Sequence, residues 1–429
     1  MALKHSSAAR GDVGALVEHL FRHEAGRMTA ILTRLFGLAQ IELAEDIVQD
    51  TLQEALQVWS VGPLPDNPAG WLMAVAKRKT INLLRREQVK RRVDAALLAE
   101  ASGHEAALDE VFLDAEIRDS QLRMIFTCCH PDLPPESQIA LTLKTLAGFS
   151  VPEIADALLS NVATINKRLY RAKQKFRSGD ITLESPQGER LLPRLDAVCL
   201  TLYLLFNEGY NSNHAALPIR RELCAEAIRL TGMVVEHFPE VYSVRALLAL
   251  MYLHAARFDA RLDAGGAIVI FEDQDRAGWD AGFIDQGLRH LAAAGNGATL
   301  SAYHLEAGIA AEHCIAADYN STNWPMIEEY YALLLDFKPH PIVKLNRAIA
   351  VAMSRGIRSA LPLLHALEDE PALQSYSLLF ATLGEFYRRC DAETEARSYL
   401  LRARELTESR AQLDLLDKKI KQLGGSRFT

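Results

Sequence analysis

VPEIADALLSNVATINKRLYRAKQKFR, residues 151–177, decides how the first half of this chain folds. Its apolar residues recur with helical spacing in two blocks, which are separated by Ser160 and Asn161. Asn161 carries a side-chain oxygen that can cap a following helix. The stretch therefore predicts two helices, over 151–159 and 161–177, joined by a tight turn. The predicted buried positions are Ile154, Ala155 and Leu158 in the first helix and Val162, Ile165, Leu169 and Phe176 in the second.

The second of these helices is strongly basic, with six cations and no acid. The cations are Lys167, Arg168, Arg171, Lys173, Lys175 and Arg177. A solvated basic face on an amphipathic helix is one interpretation of such a run. The preceding helix and turn favour another, in which the helix enters a DNA major groove, its cations hold phosphates and its N-terminal residues contact base edges.

Length and composition indicate a multidomain helical protein. The chain has 429 residues, of which 49% are hydrophobic, and this length predicts two or three domains with sizeable cores. The net charge is −8, which argues against a protein that coats nucleic acid along its whole surface. Positive charge is local instead, because residues 77–92 hold eight cations and one acid. Two basic segments on an acidic chain predict specific docking sites.

Neither a membrane segment nor a cofactor is expected from the sequence. The N-terminus lacks the apolar core of a signal peptide, and there is no apolar run of about 18 residues. The six cysteines are scattered, so we expect reduced thiols in a cytoplasmic protein. Cys128, Cys129 and His130 are adjacent but lack a second Cys/His pair at zinc spacing, so we expect small buried residues near a helix end and no metal.

The chain divides at changes of composition. Residues 10–88 form one predicted helical unit, 89–118 a charged linker with some helix, and 119–178 the helix-turn-helix unit. After a polar break, residues 190–429 contain one helical pattern after another. Within the first unit, the Pro-rich loop VGPLPDNP separates a helix over 41–59 from one that begins at Trp71.

A repeat is visible towards the C-terminus. Ala348 and Gly384 are 36 residues apart, as are Ala360 and Ala396, close to the ~34-residue period of tetratricopeptide repeats. The matching positions are Ala348, Val351, Ala360, Leu364 and Leu367, and then Phe380, Leu383, Gly384, Tyr387, Ala396, Leu400 and Ala403. We therefore expect tetratricopeptide-like repeats over about 342–408, continuing an array of helices that begins near residue 190.

Several segments resemble a known family. AEDIVQDTLQEALQVW, NPAGWLMAVAKRKTINLLRRE and EIADALLSNVATINKRLYRAKQKF resemble regions 2 and 4 of bacterial sigma factors of the extracytoplasmic-function type, within the sigma-70 family. LYLLFNEGYN, RRELCAEAIRL, DQDRAGWD and HPIVKLNRAIAVA resemble a subgroup with a long C-terminal extension that ends in tetratricopeptide-like helices. Together the matches extend over nearly the whole chain.

This resemblance implies an all-α protein with a region 2 bundle, a region 4 helix-turn-helix domain and a C-terminal tetratricopeptide-like array. It implies a cytoplasmic transcription initiation factor, not an enzyme. Such a factor binds core RNA polymerase, directs it to the −35 and −10 elements of promoter DNA and helps to melt the duplex. The extension would then regulate this activity, and its repeats would bind a peptide or protein partner.

The resemblance also implies three sets of site residues. The polymerase-binding face is Asp46, Gln49, Asp50 and Gln53. The −10 contacts are Asn67, Trp71, Lys77, Arg78, Lys79, Asn82, Arg85 and Arg86. The −35 contacts are Thr164, Asn166, Lys167, Arg168, Arg171 and Lys175. The chain departs from the family at Arg78, where Asn is frequent, at Asn82, where Asp is frequent, and at Leu159, where the turn often has Gly.

Two further interpretations are compatible with parts of the sequence. A stand-alone helix-turn-helix regulator with a C-terminal sensor would need neither the polar face of the 41–59 helix nor the basic helix after it. An enzyme would need a site in the C-terminal helices, around Asp273, Asp275 and His304 or His313, but those two histidines are nine residues apart and not four.

A polar cluster in the extension has two interpretations. It comprises Asn207, Glu208, Tyr210, Asp273, Asp275 and Arg276, all of which lie next to apolar runs. These residues could form a regulatory ligand site, or they could fix a junction between helices through salt bridges.

Overall fold

A computed structural model describes residues 6–90, 112–158, 160–183, 191–210, 219–263, 269–407 and 410–423. These described ranges form 18 α-helices and no β-strand, so the predicted all-α class is confirmed. The chain divides into two compact units, Met1–Leu205 and Phe206–Thr429.

Unit 1 contains seven complete helices and the first part of an eighth. They are α1 (Ser6–Phe36), α2 (Ile41–Val61), α3 (Pro68–Lys90), α4 (Asp114–Cys128), α5 (Pro135–Thr145), α6 (Val151–Ala157), α7 (Val162–Ser178) and α8 (Leu191–Tyr210). A short 3₁₀ turn, Leu38–Gln40, joins α1 to α2. The predicted Pro-rich break lies between α2 and α3, and α3 begins at Pro68 and not at Trp71, because a proline fits the first turn of a helix.

Helices α1, α2 and α3 form a bundle around an apolar core. Met28, Ile31 and Leu32 of α1 are fully buried there, and α2 and α3 contribute the rest of the core. Ile117 of α4 packs into the same core, so α4 closes the bundle. Trp59 and Trp71 contact each other at its edge, with ring centroids 5.3 Å apart and ring planes tilted by 55°. The core therefore fixes the orientation of α2 and α3.

Helices α6 and α7 form the predicted helix-turn-helix. Ser150 and Glu153 make a reciprocal capping box at the start of α6. The Asn161 side chain accepts a hydrogen bond of 2.8 Å from the Thr164 amide, which confirms the predicted cap of α7. Helix α6 ends at Ala157, earlier than predicted, and Leu159 lies outside the described residues.

The predicted buried stripe of α7 needs one correction. Ile165, Leu169 and Phe176 are buried as predicted, but Val162 is exposed. Val162 is the first residue of the helix, beyond the reach of the apolar core, and Ala172 takes the remaining buried position. The exposed side of α7 is therefore longer at its N-terminal end than the sequence pattern predicts.

The first half of α8 packs onto the helix-turn-helix unit. Thr201 Oγ1 donates to Gln138 Oε1 of α5 at 2.7 Å, and the Gln138 amide donates to the backbone carbonyl oxygens of His130 and Leu133. Arg194 donates to the Phe126 carbonyl of α4. Unit 1 thus runs to Leu205, whereas the sequence pattern predicts that the extension starts near residue 190.

Unit 2 is a succession of helices, most of which pack against the next helix in the chain. Beyond α8 its helices are α9 (Arg221–His237), α10 (Tyr242–Ala255), α11 (Ala281–Ala294), α12 (Ala302–Ile315), α13 (Trp324–Phe337), α14 (Pro341–Arg355), α15 (Ile357–His365), α16 (Ser377–Arg389), α17 (Glu393–Glu405) and α18 (Arg410–Gln422). The predicted repeat positions share one core, in which Tyr387 is only partly buried. Small residues such as Ala360, Ala396 and Ala403 are fully buried between the paired helices.

The tight packing of α16 against α17 depends on Gly384. A Cβ atom at this position would lie 2.7 Å from Leu400 Cγ and 3.1 Å from the Leu400 backbone nitrogen. Gly384→Ala should therefore destabilise the protein by about 1–3 kcal/mol through overpacking. Gly232→Ala is the matched control, because nothing lies within 4 Å of its added Cβ and alanine favours the interior of α9 by about 0.5–1 kcal/mol. Urea denaturation measures the free energy of unfolding of both variants. Equal midpoints would contradict the close packing.

Candidate nucleic-acid interface

The exposed side of α7 carries three of the residues that are predicted to contact the −35 element. Asn166, Lys167 and Arg171 are all exposed, away from the buried stripe, and Lys167 and Arg171 are about one helical turn apart. Tyr170 lies between them and is 59% exposed, a large fraction for an aromatic residue. Tyr170 is absent from the predicted set, although its spacing of three from Lys167 and four from Asn166 places it on the same face. This side can present cations, an amide and a phenol to a DNA groove.

The other predicted −35 residues are less exposed, and Thr164 and Lys175 have hydrogen bonds within the protein. Thr164 and Arg168 are half-buried, and the Thr164 amide is the group that Asn161 caps. Lys175 Nζ donates to the Asp132 backbone carbonyl at 2.7 Å. The structure therefore separates α7 into an exposed N-terminal half and a C-terminal half that is engaged by neighbouring residues.

The predicted polymerase-binding face of α2 lies on the solvent side of that helix. Asp46, Gln49, Asp50 and Gln53 are all exposed, whereas Ile47 and its apolar neighbours face the bundle core. Further along α2, Leu56 is 55% exposed and Val61 is 91% exposed. These two apolar side chains extend the polar row at its C-terminal end. They were not predicted, because the sequence pattern does not distinguish an exposed apolar residue from a core residue.

Asn67 and Trp71, two predicted −10 residues, have structural contacts. Asn67 Oδ1 accepts a hydrogen bond of 2.9 Å from the Gly70 amide and so caps α3. A Cβ on Gly70 would lie 2.7 Å from Asn67 Nδ2, so a larger residue at position 70 would have to displace the capping side chain. Trp71 is half-buried against Trp59. Their contacts with DNA remain a prediction.

The basic side of α3 is tied to α2 through a carboxylate. Glu54 binds both Arg78 and Lys79, with Lys79 Nζ 3.0 Å from Glu54 Oε2. Hydrogen bonding by Lys79 and Arg78 holds the pKa of Glu54 below its ordinary value. Asn82 and Arg85 are exposed, Lys77 is half-buried, and the Arg86 side chain is outside the described part of the structure. Glu54 therefore orients two of the predicted −10 cations.

The polar cluster predicted in the extension is divided between different environments. Asp273 and Asp275 are exposed, and Asp275 caps a short 3₁₀ turn through the Ala277 amide. Arg276 points inward and donates to the carbonyl oxygen of Ala316 at 2.9 Å and to Thr322 Oγ1 at 3.0 Å. Arg276 thus fixes a junction between helices by donating to backbone carbonyl oxygens at the C-terminal end of α12. It does so without a salt bridge to these aspartates.

The remaining members of that cluster lie on α8. Tyr210 is buried, and the Arg261 guanidinium lies 4.0 Å from its ring centroid. Asn207 and Glu208 are half-buried, and burial raises the pKa of the Glu208 carboxyl. Arg257 likewise lies 4.0 Å from the ring of Phe271. Arginine stacking on aromatic rings is the main polar feature of this part of unit 2.

The histidines considered for an enzymatic site serve as structural residues. His304 Nδ1 bonds to Ser301 in the cap of α12. His313 is packed against Trp324, and burial lowers its pKa to about 3, so the ring is neutral at physiological pH. Among the described residues, no group of three or more His, Cys, Asp or Glu side chains could hold a metal ion.

Cys128 and Cys129 are fully buried between α4 and α5. Burial raises the pKa of both thiols, that of Cys129 to about 11, so neither is a reactive thiolate at neutral pH. Cys128 Sγ lies 3.0 Å from Thr145 Oγ1. The pair fills the core, as the sequence analysis expects. In the described helices, none is long and apolar enough to cross a membrane.

The chain matches two family models in the regions just described. A sigma-70 region 2 model matches residues 20–89, and a sigma-70 region 4 model matches residues 123–176. Residues 194–295 match a family of unknown function. The matched regions correspond to the α1–α3 bundle with its polar α2 face and to the helix-turn-helix with its basic α7.

Three relatives place these regions in a wider context. An uncharacterized protein of Rhizobium meliloti is 34% identical over 382 residues, which is 88% of this chain and 90% of that protein. The ECF RNA polymerase sigma factor SigK of Mycobacterium ulcerans is 25% identical over 39% of this chain and 92% of its own length. SigE of Mycolicibacterium smegmatis, another ECF sigma factor, is 27% identical over 39% of this chain and 64% of its own length.

The sigma-70 region 2 and region 4 matches identify a helical transcription initiation factor, a class of protein that is not enzymatic. The chain belongs to the sigma-70 family, among sigma factors of the extracytoplasmic-function type with a long C-terminal extension. The resemblance inferred from the sequence motifs is thereby confirmed. The tetratricopeptide character of the last helices stays a prediction.

Proposed function

We propose that this protein is the promoter-specificity subunit of a cytoplasmic RNA polymerase holoenzyme. In this proposal, the exposed row on α2 binds core polymerase, α3 and the loop before it contact the −10 element, and α7 reads the −35 element. The observation that carries the proposal is the exposed side of α7, where Asn166, Lys167, Tyr170 and Arg171 converge in a capped helix-turn-helix.

The α2 face has the composition of a protein-binding surface. Its polar row gives charge and hydrogen-bonding complementarity, which sets the specificity and the rate of association. Leu56 and Val61 add exposed apolar area at one end, which a partner can bury. Glu54 lies on the same helix but faces the cations of α3, so polymerase binding and the orientation of the −10 cations share one element.

The exposed residues of α7 differ in what they can contact at the proposed −35 element. Asn166 can form a bidentate pair with an adenine edge in the major groove, whereas Lys167 and Arg171 suit phosphates. Tyr170 joins the set as an exposed ring that can contact a thymine methyl group or a phosphate.

Helix α3 supplies positive charge along the strand that is unwound at the −10 element. Its cations are Lys77, Arg78, Lys79 and Arg85.

Reversing two charges on α2 should weaken core polymerase binding. Asp46→Lys with Asp50→Lys changes the sign of the exposed row without touching the bundle core, so the fold is retained. Because like charges then face each other in the interface, we expect the Kd for core polymerase to rise by roughly tenfold or more. A fluorescence titration of labelled protein with core polymerase measures this change.

The matched control carries the same change of net charge elsewhere. Glu329→Lys with Asp336→Lys alters two exposed acids of α13 in unit 2. If both double variants weakened binding equally, long-range charge would explain the effect and the α2 face would not be the binding site.

Substitutions on α7 should separate base recognition from phosphate contact. Asn166→Ala should lose about 1–3 kcal/mol on the correct −35 sequence and become indifferent to substitution of one base pair. Lys167→Ala should instead weaken all sequences to a similar extent. Transcription by holoenzyme from a set of promoters with single −35 substitutions distinguishes the two patterns. Identical sequence profiles for wild type and Asn166→Ala would contradict base contact by Asn166.

The extension is proposed to regulate this activity through a partner of its last helices. A groove of about 520 Å³ lies between α14, α15 and α16, with Met353, Ile357 and Phe386 among its apolar lining. Arg355, Arg358 and Arg389 line the same groove. Arg355 already pairs with Glu328, and Arg389 pairs with Glu272 and Glu385, so the apolar lining is what suits a peptide with an apolar anchor.

Deleting Phe206–Thr429 tests whether the extension regulates. The cut retains Arg194 and Thr201, because both bond to the helix-turn-helix unit. We expect the amount of transcript per polymerase to change while the Kd for core polymerase stays the same, since the α2 face is untouched. Unchanged transcript at equal core binding would exclude a regulatory role.

A further inference from the structure

An arginine–aromatic cluster in unit 2 surrounds the ring of Phe271. The Arg257 guanidinium lies 4.0 Å from the centroid of this ring and 5.3 Å from that of Trp279. The Arg276 guanidinium lies 5.1 Å from the Trp279 ring centroid, and the ring centroid of His313 lies 4.6 Å from that of Phe271. The segment between α10 and α11, with one histidine of α12, thus places two guanidinium groups against one aromatic wall.

Neither arginine of this cluster has a carboxylate partner. Arg257 donates from Nε and Nη2 to a single atom, Gln274 Oε1, at 3.2 and 3.1 Å. Arg276 donates to two backbone carbonyl oxygens and to the Thr322 hydroxyl. No ion pair among the described residues includes Arg257 or Arg276. Burial lowers the pKa of the Arg257 guanidinium, but an arginine stays charged in a protein, so its positive charge is not neutralised.

The acids closest to this cluster are engaged with other groups. Glu272 pairs with Arg389. Asp318 accepts a hydrogen bond of 2.7 Å from the Ser321 amide, and it attracts Arg276 without forming an ion pair. Both acids are exposed. The two arginines of the cluster therefore lack a negatively charged acceptor.

Three buried nitrogen atoms beside the arginines have no hydrogen-bond partner among the described residues. They are Trp279 Nε1, His313 Nδ1 and His254 Nδ1, and His254 lies three residues before Arg257. Trp279 is only 5% exposed, and its indole nitrogen can only donate. Burial lowers the pKa of both histidines to about 3, so both rings are neutral and each can donate from Nδ1. Buried donors without acceptors are costly, and one acceptor group would satisfy them together with the arginines.

We propose that the arginine–aromatic cluster, with His254 beside it, is a binding site for a small molecule that carries an oxyanion, either a phosphate or a carboxylate group. An oxyanion accepts several hydrogen bonds at once and supplies the negative charge that the arginines lack. The planar guanidinium group matches the oxygens of both kinds of anion. Arg257 and Arg276 are half-buried, so a ligand can reach them from solvent.

This site is distinct from the surfaces proposed above for polymerase, DNA and a peptide. It shares no lining residue with the groove between α14, α15 and α16. It also lies entirely within unit 2, whereas α2, α3 and α7 belong to unit 1. The inference therefore does not rest on the proposed promoter function, and it gives the extension a small-molecule ligand of its own.

Titration of the full-length protein with simple anions, without polymerase or DNA, tests the site. The readout is the indole N–H resonance of Trp279 in a nuclear magnetic resonance spectrum, one of four tryptophan signals, which its loss in Trp279→Phe assigns. The probes are inorganic phosphate and acetate, with sodium chloride at equal ionic strength as the reference. We expect a saturable shift with at least one oxyanion, because the indole gains an acceptor. The probe that saturates at the lower concentration distinguishes a phosphate from a carboxylate ligand.

Three substitutions show whether the shift arises at this site. Arg257→Gln should raise the Kd for the oxyanion by roughly tenfold or more, because a charged hydrogen-bond donor is lost. Arg257→Lys should recover part of the affinity, since it keeps the charge. Arg289→Gln is the matched control, because it removes an exposed arginine of α11 that pairs with Asp285, and it should bind as wild type does.

Calorimetry of Trp279→Phe gives a second test that keeps the aromatic wall and removes only the indole donor. We expect its Kd for the oxyanion to rise by about tenfold while its circular dichroism stays that of the wild type. This variant decides the question if Arg257→Gln loses its helical signal.

Three results would overturn the inference. The first is the absence of a saturable shift with either probe at millimolar concentration, which would leave the buried donors to water. The second is an equal shift with chloride, which would assign the effect to ionic strength. The third is unchanged affinity in Arg257→Gln or in Trp279→Phe, which would place the anion elsewhere. Transcription by holoenzyme tests the proposed function separately from all three.

Discussion

Unit 1 depends on how it holds one helix with six positive charges in seventeen residues. Like charges on neighbouring turns repel, so a helix of this kind needs a tertiary framework. An apolar stripe ending at Phe176 fixes one side of α7, and the Asn161 cap fixes its start. Acids of α2 neutralise its C-terminal cations, and this leaves the N-terminal half exposed. The same helix is thereby both a DNA-type surface and a contact with region 2.

Several arginines inside unit 2 are held by aromatic rings and backbone carbonyl oxygens. Arg257 and Arg261 lie against aromatic rings, and Arg276 donates to carbonyl oxygens at a helix end, so these cations fix helix junctions. His313 is neutral because it is buried. The three arginines therefore have partners inside unit 2, whereas the buried His313 Nδ1 atom has no hydrogen-bond partner among the described residues. The surfaces of unit 2, such as the groove beside Phe386, are where a partner can bind.

Periodicity predicted most of this fold, but it could not show which polar groups meet. The caps at Ser150 and Asn161 and the small buried residues of the last helices are local features, and local spacing determines them. Contacts over long sequence distances are not visible in spacing, and Glu45 with Lys173 is the main example because 128 residues separate them. Val162 was predicted as buried and is exposed, since a helical stripe does not reveal where the core ends. Tyr170 was overlooked because aromatic residues usually belong to a core.

The central claim is that this chain confers promoter specificity on RNA polymerase. Run-off transcription with purified core polymerase, on DNA from upstream of the protein's own gene, tests it most directly. We expect a discrete transcript that requires the protein, with a start site that locates both promoter elements. No transcript, together with no co-elution with core polymerase and binding to the same DNA by the protein alone, would contradict the claim and identify a stand-alone helix-turn-helix regulator.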